Sequence, residues 1–428
     1  MSILYTYYGD DFTGSTDVLE QLASNGVPSV LFLGAPTPSQ LAAFPNAQAI
    51  GIAGDSRSRS PEWMSANLPG IFAALRKFNA PIVHYKVCST FDSSPTHGNI
   101  GRAIELGIES FAPRFVPIVI GAPHLRRYVA FGNLFAAAPD GAIHRIDRHP
   151  MAHHPVTPMR ESDLRRHLQL QCTLPVGLVD LIALASTSTA AQALDAQLGA
   201  GNREILFDTV DEMAQAVVGE LLWREAQQRP IFSASSSGLT AALISAWRTH
   251  GILSEPKPLA SIEPASPLLV VSGSCSPSTE RQTRWALAHG FRGLRLNPEE
   301  ILTPGTINAA ADSLASGRDT ILYTALGPPA ASAYGDALGI ALGKLVRELL
   351  TRAPFPGTAR RVVLCGGDTA SHAVQQLGIY ALTWLANLQP GAPLCRAHTE
   401  DSSPPLELVL KGGQVGTDDF FKIVRGTS

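Results

Sequence analysis

Tyr8-Gly9-Asp10-Asp11-Phe12-Thr13-Gly14-Ser15-Thr16-Asp17 decides the fold of this chain. It sets two adjacent carboxylates at the end of a short apolar run, residues 3–8, and ahead of a helix-like stretch, residues 17–25. A strand that turns into a helix in an α/β protein marks a ligand crevice. The open N–H groups of a helix start suit an anion, and a carboxylate held there can act as a base toward a substrate hydroxyl. Capping by Asp11 or Thr13 explains one Asp, not two adjacent ones between glycines.

The rhythm continues outward from that stretch. Residues 29–33, 49–53, 82–86 and 116–121 read as buried strands, with apolar-periodic stretches such as 61–78 between them. Alternating strands and helices imply a mostly parallel sheet covered by helices. Prolines and a cluster of His and Arg make residues 139–160 a long loop, in which metal binding is disfavoured by the flanking arginines. Residues 161–171 read as a helix, and 176–182, 204–208 and 230–233 extend the sheet. Residues 254–267 carry four prolines and form the linker. A second α/β unit follows, with strands at 268–271, 320–324, 361–364 and 406–410 and helices at 278–289, 330–350 and 368–380. The expected domains are 1–253, then the linker 254–267, then 268–428.

With 428 residues the chain exceeds one ordinary core. A net charge of −3 without a Lys/Arg run leaves no electrostatic footprint for nucleic acid. No apolar segment spans a bilayer and no secretory signal is visible, so a cytoplasmic protein is expected. The five cysteines stand singly, which indicates neither a zinc site nor a disulfide framework.

Three glycine-rich turns sit at strand ends of the second unit: Ser272-Gly273-Ser274-Cys275-Ser276, Cys365-Gly366-Gly367-Asp368-Thr369-Ala370 and Lys411-Gly412-Gly413-Gln414-Val415-Gly416. Glycine lets backbone approach a phosphate, and the helix starts supply donors. None is a Walker A loop. Ser274 or Ser272 would bond a phosphate. Asp368 would hold magnesium through water or cap its helix. In the first unit, Arg57 and Lys86 stand at strand ends and suit a carboxylate, Arg as a fork and Lys as a point charge. Ser89 and Thr90 suit sugar hydroxyls.

Taken together, these motifs resemble the four-carbon acid sugar kinases, the group of 3-oxo-tetronate, D-threonate and D-erythronate kinases. Gly9-Asp10-Asp11-Phe12-Thr13-Gly14-Ser15 is similar to that family's A-D-D-x-T-G-A signature, and the three glycine loops match its nucleotide loops. The resemblance implies two α/β domains facing across a cleft, acid sugar on the N-terminal one and ATP with Mg²⁺ on the C-terminal one. In the expected transfer, Asp10 or Asp11 would orient or deprotonate the acceptor hydroxyl. Substrate contacts fall on Asp10, Arg57, Lys86, Val87, Cys88 and Ser89. Nucleotide contacts fall on Ser272 or Ser274, Gly366, Gly367, Asp368, Thr369 and Gly413.

One departure matters: Cys88 stands where many members of the family carry Asp in K-x-D-S-T, and the Arg that follows is absent. A thiol cannot accept the bonds or the proton of a carboxylate. The expected activity is phosphorylation of a short sugar acid by ATP, with homo-oligomerisation left open. The rival readings are a nucleotide-binding sensor without turnover and an ATP-independent sugar-acid isomerase or lyase.

Overall fold

A computed structural model describes residues 2–138, 141–153, 157–253, 262–327, 335–352, 360–400 and 404–426. The chain forms two compact units, Met1–Ser29 with Leu41–Pro256, and Val30–Gln40 with Lys257–Ser428. The second begins inside the stretch expected as linker, most of which, residues 254–261, lies outside the described residues.

Four parallel strands form the main sheet of the N-terminal unit, in the order Ile231–Ser235, Ile82–Lys86, Tyr5–Gly9, Ala49–Ala53. All four are buried along their length, as expected of strands covered on both faces. Their register is in phase: Gly9 lies opposite both Ala53 and Lys86, and Lys86 opposite Ser235. The carboxyl ends therefore finish on one line, and the loops that follow emerge together.

Sequence periodicity identified strands here but not their partners. Val116–Val119, Glu204–Phe207 and Val176–Val179 do not extend the main sheet; they form a separate parallel three-stranded one. A third, antiparallel sheet holds Arg127–Ala130, Asn133–Ala137 and Ile143–Arg145. Its first turn, Phe131-Gly132, has positive φ at both residues, the geometry of a two-residue hairpin. Part of the expected 139–160 loop is thus strand, followed by the 3₁₀ turns Ile146–Arg148 and Pro150–His153. The helix expected at 161–171 is shorter, Leu164–Gln169, and Asp163 caps it.

The core of this unit packs aromatic rings against one another, with Phe72 and Phe232 meeting edge to face at 5.4 Å between centroids. Gly107 has no side chain for a steric reason: a Cβ there would stand 2.0 Å from the Phe232 ring.

In the C-terminal unit, Leu268–Ser272 pairs in parallel with Thr320–Tyr323 and Arg360–Cys365. Arg292–Arg295 and Leu406–Lys411 extend the parallel set on its two sides. Beyond Leu406–Lys411 the sheet turns antiparallel through Ala392–Thr399 and Ile379–Gln389. The expected helix 368–380 ends at Val374, because Gly378 takes φ +70° and the β-branched and aromatic run from Ile379 pairs as strand. The last strand comes from the N-terminal half: in Ser29–Phe32, Leu31 and Phe32 pair with Leu382 and Ala381. Residues 330–334 of the expected helix 330–350 lie outside the described residues; the helix runs Gly335–Arg352.

One buried cation ties this unit together. Arg361 is 1% exposed. Its Nη2 lies 2.6 Å from Glu407 Oε2 and donates to the Glu263 carbonyl at 2.9 Å, while Nη1 donates to the Val424 carbonyl at 2.7 Å. Two adjacent strands, the C-terminal helix Phe420–Arg425 and the segment entering the unit thus share a guanidinium. Arg361→Met leaves a partly buried carboxylate and two carbonyls unpaired. It is expected to lower the stability of this unit by about 3–5 kcal/mol, read as a fall in the urea midpoint.

Candidate functional site

At the carboxyl edge of the N-terminal sheet, the Asp10 backbone is locked between its neighbours. Its N–H donates to the Lys86 carbonyl at 2.9 Å, and its own carbonyl accepts from Arg57 N–H at 3.0 Å. The Arg57 guanidinium closes the arrangement. Nε and Nη2 bond the two Asp10 oxygens at 3.1 and 2.6 Å, and Nη2 also bonds Asp11 Oδ1 at 2.8 Å. Asp11 Oδ1 further accepts from Gly14 N–H at 2.8 Å, so Asp11 is the N-cap of the helix Phe12–Ser24. The helix starts at residue 12 rather than at the expected 17, with Gly14, Ser15 and Thr16 inside its first turns. Burial pushes the Asp10 carboxyl up to about 6, against the opposing pull of Arg57.

Lys86 is buried. Its Nζ lies 3.7 Å from Asp17 Oδ2 and donates to the Val87 carbonyl at 2.9 Å. The Val87 side chain is in the hydrophobic core, so only its backbone faces the loop. Cys88 is half-buried and neutral, its thiol pushed by burial up to about 11. The Thr90 hydroxyl lies 2.9 Å from Cys88 Sγ and 2.5 Å from Asp92 Oδ1. Burial opposes ionisation of Asp92, but the Arg57 charge and the Thr90 hydroxyl prevail and hold it below the usual carboxylate range. Ser89 is half-buried beside them.

Beneath Lys86, a neutral network fixes the strand. Burial holds His84 down to about 3. Its Nε2 faces the Ser235 carbonyl at 2.8 Å and must carry the hydrogen, so Nδ1 accepts from Tyr5 O–H at 2.6 Å.

Asp17, Asp92, His124 and Arg127 join this region without having been singled out in the sequence. Asp17 and Asp92 sit within the two motifs already read, where their spacing from Asp10 and Lys86 was a usable signal. His124 and Arg127 belong to a turn far along the chain and had none. The His149 loop is separate: His149 Nε2 contacts the Ala137 carbonyl at 3.2 Å, and Arg145 pairs with Asp147. Among the described residues no group of His, Cys, Asp and Glu is arranged to hold a metal ion.

The C-terminal unit brings its three glycine loops together. A Cβ on Gly273 would stand 2.6 Å from Thr369 Cγ2, and one on Gly413 would stand 3.1 Å from Ser274 Oγ. Gly366 has φ +110° and faces Ser274 and Thr369 at 3.4 and 3.3 Å by the same measure. The Ser276 and Thr279 hydroxyls donate to the Gly413 carbonyl at 2.6 and 3.0 Å. Ser272 Oγ accepts from Ser274 N–H at 3.4 Å. Gly367 opens the helix Gly367–Val374, and the Asp368 side chain lies outside the described residues.

The starts of the two loop helices are unlike that of Phe12–Ser24. Neither Ser276, before Pro277–Ala288, nor Gly366, before Gly367–Val374, makes a side-chain capping bond. Their N–H groups are left for an anion. Lys411 is buried next to them and, among the described residues, its Nζ donates to neutral groups, Thr279 Oγ1 at 3.1 Å and the Gly412 carbonyl at 2.9 Å. Burial lowers its pKa. Cys365 is buried with its thiol pushed up to about 11, so it is not a nucleophile at neutral pH.

Comparison with known proteins agrees with this division. A sugar-binding N-terminal domain family matches residues 5–243, and a nucleotide-binding C-terminal domain family matches residues 269–421. A 3-oxo-isoapionate kinase of Paraburkholderia graminis is 44% identical, the match covering 99% of this chain and 94% of the relative. A 3-oxo-tetronate kinase of Methylobacterium radiotolerans is 31% identical over 98% of each chain. Among solved structures, a Salmonella typhimurium LT2 protein described as a candidate tRNA synthase shares the fold with a TM-score of 0.79 and 26% identity over 98% of each chain.

Arg57→Met removes the cation that opposes protonation of Asp10. The Asp10 titration, followed by carboxyl-carbon NMR, is expected to move above its midpoint of about 6.

Proposed function

The chain belongs to the four-carbon acid sugar kinase family, and we infer that it moves the γ-phosphoryl group of ATP onto a hydroxyl of a short 3-oxo sugar acid. That it is an ATP-dependent small-molecule kinase follows from relatives matched along their whole length. The comparisons support neither a sensor without turnover nor an ATP-independent isomerase or lyase. The 3-oxo acid is the part the relatives' names share, and the higher identity to the 3-oxo-isoapionate kinase favours a branched acid over a straight one.

One observation carries the assignment of roles to the two units. The N-terminal helix start is filled by Asp11, whereas both helix starts among the glycine loops are open. The first arrangement offers carboxylate oxygens to a hydroxyl; the second offers N–H donors to a polyphosphate. The Ser272–Ser276 loop, Gly366, Gly367, Thr369 and Gly413 would line the nucleotide phosphates, with Lys411 supplying charge. Mg²⁺ enters as part of the MgATP substrate, screening the phosphate oxygens.

In the transfer, the acceptor oxygen forms a bond to the γ-phosphorus while the bond to the β-bridging oxygen breaks, and ADP leaves. The hydroxyl proton passes to a carboxylate. Among the described residues Asp11 Oδ2 makes no hydrogen bond, whereas both Asp10 oxygens are held by Arg57. Asp11 is therefore the base, and Asp10 fixes the guanidinium beside it. Phosphoryl transfer rests on such alignment and electrostatics more than on covalent chemistry.

ADP formation is expected when the protein is mixed with MgATP and 3-oxo four- and five-carbon acids. Asp11→Asn is expected to lower kcat by about 10²–10⁴-fold while ADP binding by calorimetry stays as in the wild type. Equal turnover in Asp11→Asn would remove the base from Asp11. The rate is expected to have an acid limb as well: below about pH 6, Asp10 would gain a proton and lose its hold on Arg57, and kcat/KM would fall with the slope of one proton. Asp10→Asn should abolish that limb along with most of the activity.

A further inference from the structure

Both cations that the sequence assigns to the substrate carboxylate are already neutralised. Arg57 spends its guanidinium on Asp10 and Asp11, and Lys86 faces Asp17. Four carboxylates (Asp10, Asp11, Asp17, Asp92) surround these two positive charges, and Cys88 adds none at neutral pH. Built from these groups alone, the site would repel an anionic acid. A carboxylate needs a cation that is not yet paired.

The turn Pro123–Leu125 and the residues after it supply one. His124 bonds Gln21 on the helix Phe12–Ser24. Gln21 stands four residues after Asp17, on the same helical face, and Asp17 faces Lys86. This turn is thereby seated beside the acid site. Arg127 opens the next strand, its guanidinium within electrostatic reach of the Cys88 thiol. Nη1 donates to the carbonyls of Leu125 and Arg126 at 3.0 and 3.2 Å. Nε is buried and has no hydrogen-bond partner, and among the described residues no carboxylate pairs with Arg127. A half-buried guanidinium with an orphaned N–H is costly unless a ligand completes it.

Resting on the kinase reading, we propose that Arg127 takes the carboxylate of the sugar acid and so selects acids over neutral sugars. Arg57 then orients the reacting end through Asp10 and Asp11. Cys88 matters in this scheme because it is uncharged: a carboxylate at that position would compete for the same guanidinium. The occupant is a short hydroxy acid, with its anionic end beside Cys88 and its reacting hydroxyl toward Asp11.

Arg127→Met should raise KM for a 3-oxo four-carbon acid by roughly 30–100-fold, with kcat and KM for ATP nearly unchanged. Erythrulose, the ketose that carries CH₂OH in place of the carboxylate, should be used no worse by the variant than by the wild type. Arg127→Lys keeps the charge and should recover part of the lost affinity; it also serves if the Met variant does not fold. Calorimetry with the acid alone separates this inference from the kinase reading. If the wild type binds the acid but never phosphorylates it, the kinase reading fails, and weaker binding by Arg127→Met still supports Arg127. If the variants bind the acid as the wild type does, or lose acid and erythrulose equally, the assignment of Arg127 is overturned.

Discussion

Two carboxylates on adjacent residues end one strand here, and Arg57 bridges them. At an effective dielectric of ~20, like charges a few ångström apart repel by several kcal/mol. The guanidinium reverses the sign of that interaction by bonding both Asp10 oxygens and one Asp11 oxygen. The in-phase register of the parallel strands makes the bridge available, since it delivers the residues after Gly9, Ala53 and Lys86 to one edge. The bridge still leaves Asp10 raised to about 6 by burial, so the site sits close to its own protonation limit. The chain spends its stability at this edge on holding charges, while the edge-to-face packing of Phe72 and Phe232 lies away from it.

The two units solve the same local problem in opposite ways. A helix start needs acceptors for its free N–H groups. Where the N-terminal unit provides Asp11, the first turn is closed and the remaining oxygen is available for proton transfer. Where the C-terminal unit provides Gly366, or a Ser276 whose hydroxyl is turned to the Gly413 carbonyl, the donors stay open. Sequence type alone did not decide this. Serine is a favoured cap, and its conversion into a brace between two loops is a product of tertiary packing.

What the sequence made legible follows from locality. Strand ends flanked by polar motifs, at Gly9, Ala53, Lys86, Ser272 and Cys365, are properties of a few consecutive residues, and these emerged with small shifts in their bounds. Long-range pairing is a different matter. Nothing in Val116–Val119 or Glu204–Phe207 distinguishes a strand of the main sheet from one of a second sheet, because both are short, buried and apolar. The start of the first helix was misread because Gly14, Ser15 and Thr16 look like a turn, and only the bond from Gly14 to Asp11 shows them to be helical. Arg127 was invisible for a related reason. An arginine on a hairpin is ordinary in sequence, and what makes it notable is that, among the described residues, it has no carboxylate partner although it lies beside a cluster with more carboxylates than cations.

The placement of Ser29–Phe32 bears on how this protein can be taken apart. Its Leu31 and Phe32 supply the outermost antiparallel partner of Ile379–Gln389. A fragment made of residues 257–428 alone would lack that strand, and the backbone of Ile379–Gln389 around Ala381 and Leu382 would lose its partner. Bare strands of this kind recruit other chains. The C-terminal unit therefore takes one edge strand of its sheet from the N-terminal part of the chain. Its outermost pairing forms only after Ile379–Gln389 has been synthesised, long after Ser29–Phe32.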